Sequence, residues 1–338
     1  GEIAFSLLVA NRTKKNQPTG AIAGLHIIGG DSEPEKKFGT KIPPKELPPI
    51  DQLKYYLYPF QKKTINGQMH TVASLYETDG CPYNCGFCAS CQLNDRLYSR
   101  PSNEQIIDDI ENLIEQGATA IHFQDDLLFT NEKQVKNFYD TLKERDLIGK
   151  FIWLGLTRVD FIDHWSSKTM ELLQDTGCVR LGMGIESGSD RIGKMINKPL
   201  DWDTVTRVTR KNAKFNIATK AYFIIGYPTE TEGEMKQTYD LAIEMAMAGA
   251  KEIAVFQYHP YPGTDLYEMI KQNNPEILEK LNYHPAPNRD LDDSDLFGAR
   301  GTSMWLPDDL CIATVDGSRV RYLIEQTIND FNRIVEEH

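Results

Sequence analysis

From about residue 71 onward, short apolar runs alternate with amphipathic stretches at helical spacing. Residues 72–76 read as a strand that runs straight into a cysteine-rich loop. Ser102 to Gln105 forms a capping-box pattern, after which Ile106, Ile107, Ile110, Leu113 and Ile114 recur at helical spacing until Gly117 stops them. Residues 118–123 are the next apolar strand, and Asn131 caps a helix carrying Val135, Phe138, Tyr139 and Leu142. The alternation continues with strand 151–156, a helix with Met170 and Leu173 ended by Gly177, and strand 179–185. Helix 202–212, strand 221–225, helix 232–247 and strand 252–256 complete it. Strands that alternate with helices and are mostly apolar on both faces predict a parallel sheet with helices outside. Six units fall short of a closed eight-fold barrel. The expected fold is therefore α/β: a partial (β/α)6 TIM-like barrel, open on one side.

The flanks lack this rhythm. Pro18, Pro34, Pro43, Pro44, Pro48, Pro49 and Pro59 break up residues 1–70, which read as short strands and loops in an irregular N-terminal linker. Residues 270–310 are polar and rich in Pro and Asp, and Tyr322, Leu323, Ile324, Ile328, Phe331 and Ile334 mark a closing helix. The expected organisation is 1–70 linker, 71–265 barrel core, and 266–338 a C-terminal helical extension covering the barrel.

Composition narrows the partners. With 40% hydrophobic and 25% charged residues the chain is of globular type. A formal net charge of −12 disfavours a phosphate-binding surface, so no nucleic-acid partner is expected. No apolar run approaches the ~20 residues of a membrane span, and no targeting segment is visible, so no membrane partner and a cytoplasmic location are expected. The first residue is Gly1 rather than Met, from which loss of the natural start is expected.

Four of the six cysteines, Cys81, Cys85, Cys88 and Cys91, fall within eleven residues. The first three are spaced C-x3-C-x2-C. Three thiolates can hold three irons of a [4Fe–4S] cube and leave the fourth iron open, whereas ferredoxin sites close every corner with cysteine. A zinc site with Cys91 as fourth ligand is the competing reading, although structural zinc sites usually pair their ligands across a longer gap. A disulfide is disfavoured by ordinary cysteine usage and the lack of a signal peptide.

This run, with Phe87 just before the third cysteine, resembles the signature of the radical S-adenosylmethionine (SAM) enzymes. The resemblance covers about residues 20–265 and is closest to the branch that often carries an N-terminal cobalamin-binding domain. It rests also on the runs 123–130, 184–189 and 260–264. It implies a [4Fe–4S] cluster on Cys81, Cys85 and Cys88, with SAM on the open iron. Reductive cleavage of SAM then gives a 5′-deoxyadenosyl radical that abstracts hydrogen from substrate.

In parallel α/β folds, ligands sit at the carboxyl ends of the strands. Each predicted strand delivers charged or turn-forming residues to that rim. The resemblance assigns them roles. Gln124-Asp125-Asp126 occupies the place of a Gly-Gly-Glu element that holds the SAM amino group, with both glycines replaced. Glu186, with Ser187 beside it, matches the polar residue that contacts the ribose or methionyl part. Gly226 and Tyr227 match the segment lying against the adenine, together with Phe87. Arg158 suits a carboxylate bidentately, and is equally placed for a salt bridge to Asp160 or Asp163. For Asp125, capping of the following helix is the simpler role.

His26 lies in a near match to a cobalamin-ligating motif, but its Asp is missing and no Rossmann-like succession precedes it. The chain is expected to lack a cobalamin domain. Cys91 and Cys178 read as small buried residues. Cys311 reads either as a buried thiol or, as in some related epimerases, as a hydrogen donor to the substrate radical.

The expected function is hydrogen abstraction from a small-molecule or peptide natural-product substrate, leading to epimerisation, dehydration, decarboxylation or rearrangement, with an external electron donor of flavodoxin or ferredoxin type. The alternative is a cobalamin-dependent methyltransferase whose cobalamin domain is missing from this chain. A non-enzymatic alternative is a zinc or redox-sensing module.

Overall fold

Seven strands lie side by side in chain order: β1 (Gln61–Ile65), β2 (Gln68–Leu75), β3 (Ala120–Phe123), β4 (Ile152–Thr157), β5 (Cys178–Glu186), β6 (Ala218–Ile225) and β7 (Glu252–Gln257). The computed structural model describes residues 60–93, 96–280 and 311–337. β1 pairs antiparallel with β2, and every later pairing is parallel. The helices are α1 (Ala89–Leu93), α2 (Asn103–Glu115), α3 (Glu132–Glu144), α4 (Val159–His164), α5 (Ser167–Asp175), α6 (Asp190–Met195), α7 (Trp202–Lys214), α8 (Glu232–Met247), α9 (Asp265–Asn273), α10 (Pro275–Lys280) and α11 (Gly317–Glu337). Six parallel strands with intervening helices make the expected partial barrel.

The helices start where the sequence says they should. Ser102 and Gln105 close a capping box on α2, Asn131 caps α3, and Thr231 with Glu234 closes a second capping box on α8. The sheet, however, begins before residue 71. Asn66 and Gly67 both hold positive φ, +48° and +76°, and join β1 to β2 in a two-residue hairpin. Asn-Gly suits such turns because both central residues must adopt φ above zero. The segment 1–70, expected to hold short strands and loops, thus supplies β1 and the start of β2; its residues 1–59 lie outside the described residues.

Alternation along the strands sorts the two faces. Ala73 and Leu75, Ile121 and Phe123, Leu181 and Met183, Ala221 and Phe223, and Ile253 and Val255 face the helices and form one core with them. The residues between them, including Ser74, His122, Arg180, Lys220, Tyr222, Glu252 and Phe256, belong to the concave face. α11 packs against α8 and β7, and its Val320, Ile324 and Phe331 join the helix-side core. It extends the outer helical layer at the β7 edge; residues 281–310 of the extension expected to cover the barrel lie outside the described residues. No helix among the described residues is long and apolar enough to cross a membrane.

Candidate functional site

The cysteine loop leaves the carboxyl end of β2 and is tied down on several sides. The buried Asp125 carboxylate accepts the backbone N–H of Glu77 at 3.0 Å and that of Thr78. Helix capping, the role expected for Asp125, belongs instead to Asn131, whose side chain accepts the Gln134 N–H. Further along the loop, Gly86 N–H donates to Ile196 O at 2.8 Å, Leu266 N–H donates to Gly86 O at 3.0 Å, and Asn197 Nδ2 donates to Asn84 O at 2.8 Å. Asp125→Ala is expected to leave two N–H groups without their acceptor, at about 1–3 kcal/mol each. Chemical denaturation checks this; an unchanged midpoint would contradict the clamp.

Cys81, Cys85 and Cys88 are partly exposed free thiols, and their charges act on one another. Burial pushes the Cys81 and Cys85 thiols up. At Cys85 the positive charges of Lys198 and Arg158 pull the other way. Cys91 is 2% exposed, and its Sγ–H donates to Cys88 O at 3.1 Å, so its thiol is engaged with backbone. Among the described residues, no three His, Cys, Asp or Glu side chains are grouped to hold one metal ion. A four-iron cluster spans its cysteines more widely than a single ion does. Three free, mutually interacting thiols on an anchored loop beside two cations fit a cluster that carries negative charge with its thiolates.

Glu186, whose charge acts on Cys85, stands at the end of β5 with φ +69°, at a register shift between β5 and β6. Such a conformation is rare and costly for a non-glycine residue, and such strain gathers at functional sites. Lys198 Nζ donates to its Oε1 at 2.8 Å, and both side chains are about nine-tenths buried. Gly184 makes room for the pair: a Cβ there would lie 2.2 Å from Glu186 Oε1 and 2.7 Å from Lys198 Nζ. Lys198 is a candidate site residue that sequence patterning did not reveal, because it follows a short helix rather than a strand.

Phe87 meets Tyr227 edge-on, with ring centroids 6.1 Å apart. Tyr227 is fully buried, and among the described residues its hydroxyl has no hydrogen-bond partner. The backbone N–H groups of Gly226 and Tyr227 donate to Glu230 Oε2 at 2.6 and 2.9 Å, which fixes this turn. Burial pushes the Glu230 carboxyl up to about 8. Its folded value thus lies above its unfolded one, and the native state holds the extra proton. Stability from this group is full below pH ~4.5 and falls as pH rises towards 8, with a slope approaching ~1.4 kcal/mol per pH unit. Glu230→Gln is expected to flatten stability between pH 5 and 8, as read by denaturation across that range; an unchanged slope would contradict it.

The remaining expected residues divide. Gln124 lies on the concave rim, donating from Nε2 to His122 Nδ1 at 3.0 Å, and Asp126 accepts from Ser90 Oγ. Arg158 donates Nε to Asp160 at 2.9 Å and stacks over the Tyr83 ring at 3.6 Å, so of its two readings the salt bridge is the one formed. Asp163 pairs with Arg207 instead. Ser187 turns towards α8: its Oγ lies 3.3 Å from Thr238 Oγ1, and it accepts the Ser189 N–H. Cys311 packs against the helix-side core, and burial, the Ala313 backbone, Asp316, Gln257 and Glu230 act on its thiol, none of them from the cysteine loop. The structure does not bring Ser187 or Cys311 to the trio. Cys178 is buried as expected, and His26 lies outside the described residues.

Residues 76–242 match the Radical SAM superfamily. An uncharacterised methyltransferase of Pyrococcus horikoshii is 28% identical over 84% of this chain and 59% of its own length. The cytidylyl-2-hydroxyethylphosphonate methyltransferase of Streptomyces wedmorensis is 26% identical over 62% of this chain and 40% of its own. The chain thus spans about two fifths to three fifths of these relatives. Among solved structures, the radical SAM methyltransferase TsrM of Kitasatospora setae, with cobalamin and a [4Fe–4S] cluster bound, superposes with a TM-score of 0.52 at 15% identity. That match covers 60% of this chain and 37% of TsrM, and the likeness is one of fold.

Proposed function

The chain belongs to the radical SAM superfamily, and on that premise we propose that it is an enzyme transferring a methyl group from SAM to a small-molecule substrate. Cys81, Cys85 and Cys88 would hold three irons of a [4Fe–4S] cluster and leave the fourth open for SAM. Such a cluster, once reduced by an external flavodoxin- or ferredoxin-type donor, supplies the electron that cleaves SAM. The observation that carries the reading is the buried Glu186–Lys198 pair, whose charges act on Cys85 of the cysteine loop. SAM brings an ammonium and a carboxylate, the two charges this pair is built to meet. Lys198 would take the carboxylate and Glu186 the amino or ribose hydroxyl groups. Phe87, backed by Tyr227, offers the adenine a ring face, and Glu230 keeps the Gly226–Tyr227 turn in place beneath it. Gln124 and Asp126 line the same rim.

The names of the relatives support methyl transfer over the hydrogen-abstraction chemistry expected first from sequence, reversing their order. Cobalamin enters through the fold neighbour's bound group and would be held outside the described residues. The test is mass spectrometry of reduced, cluster-loaded protein given SAM with a deuterated methyl group and candidate small molecules. S-adenosylhomocysteine from the SAM that gives its methyl, 5′-deoxyadenosine and methionine from the SAM that the cluster cleaves, and a product heavier by one deuterated methyl are expected. 5′-Deoxyadenosine with a rearranged, unmethylated product would return the reading to hydrogen abstraction.

A further inference from the structure

Below the rim, the concave face carries charge that methyl transfer from SAM leaves unused. Arg180 of β5, Lys220 of β6 and Glu252 of β7 lie in its rows, since their neighbours Leu181, Ala221 and Ile253 are in the helix-side core. Arg180 Nη1 donates to both Glu252 oxygens, at 2.7 and 2.8 Å, and Lys220 Nζ lies 3.4 Å from Glu252 Oε2. The Lys220 side chain is only 8% exposed. Two cations therefore share one carboxylate inside a chain whose formal charge is −12. The neighbouring His122 of β3 adds no negative charge: burial, then Arg180, Lys63 and Lys220, hold it at about 4. Burial also lowers the Lys220 ammonium, against the pull of Glu252. A buried positive charge in excess is costly unless an anion joins it.

The same face supplies an apolar wall next to the cations. Tyr222, two residues along from Lys220, stacks on Phe256 with ring centroids 6.4 Å apart and planes 9° apart. Phe256 is 37% exposed. The rows then lead through Gly184 to Glu186 at the rim.

We propose that Lys220 and Arg180 bind the anionic group of the substrate, a carboxylate or a phosphoryl group, while its apolar part lies along Tyr222 and Phe256 and its reacting end points to the cysteine rim. This deepens the radical SAM reading and rests on it. Inorganic phosphate and acetate serve as probes against anaerobically cluster-loaded full chain, with chloride at matched ionic strength as reference. The thermal midpoint of the wild type is expected to rise with either anion beyond the chloride effect. Lys220→Met, which leaves the Arg180–Glu252 pair intact, is expected to weaken anion binding by at least ~10-fold, and Lys220→Arg to restore most of it. Tighter binding of phosphate assigns a phosphoryl substrate, and tighter binding of acetate a carboxylate. A wild type that responds to neither anion more than to chloride, or a Lys220→Met protein that binds as well, overturns the proposal. Cluster-loaded protein that cleaves SAM without anion binding removes the anion site alone; anion binding by protein that cannot hold a cluster removes the radical SAM reading alone.

Discussion

Replacing Cys85 with alanine is expected to abolish cluster assembly, lowering iron from about four to below about one per chain and SAM cleavage by at least ~10³-fold. The size of the effect follows from the absence of a stand-in on the loop. Cys91 is the nearest other thiol, but it is buried and its Sγ–H is directed to the Cys88 carbonyl. Recruiting it would uncover the start of α1 and break that contact. Cys91→Ala is accordingly expected to keep its iron. A four-cysteine zinc site predicts the opposite pairing, with either substitution releasing the metal. Metal analysis of the two variants separates these outcomes; equal loss from both would contradict the three-thiol reading.

Lys198→Met is expected to be the second most damaging change. It leaves the Glu186 carboxylate, 9% exposed and already in a strained backbone conformation, without its counter-charge. Breaking a buried pair by removing one partner typically costs ~3–5 kcal/mol. The loss should fall on both folding stability and SAM affinity, with the dissociation constant rising ~100-fold or more, since charge pairs of this kind are worth a few kcal/mol in binding. The double variant Lys198→Met, Glu186→Gln separates the two effects. Removing both charges is expected to return most of the stability, because neither group is then stranded, while SAM binding stays weak. Denaturation and equilibrium SAM binding on the three variants check this. Double-variant SAM affinity equal to wild type would show that the pair serves the fold alone.

Much of the barrel was legible because its elements are long and periodic: Ile106 to Ile114 sets one helix, and the apolar runs between helices set the strands. β1 falls in residues 1–70, which read as short strands and loops without bounds because prolines interrupt them, and Asn66-Gly67 is the hairpin signal that marks its end. The trio of cysteines was legible because its members are adjacent in sequence. Partners distant in sequence were not. Lys198 reaches Glu186 only through the turn after α6, and Asp125 reaches the cysteine loop across forty-seven residues. Ser187 shows the converse: it is adjacent to Glu186 in sequence, yet the strand end turns it towards Thr238 on α8. The Arg180–Lys220–Glu252 group was hidden for the same reason, since three strands each contribute one residue and only their parallel register unites them.

The central claim is that three thiolates leave one iron open for SAM. Electron paramagnetic resonance of the reduced, anaerobically loaded wild type, recorded before and after addition of SAM, tests it most directly. The expected result is a signal of a reduced four-iron cluster whose shape changes on SAM addition, because SAM becomes a ligand of the open iron. A spectrum that SAM leaves unaltered, or protein that holds zinc and gives no such signal, would contradict it.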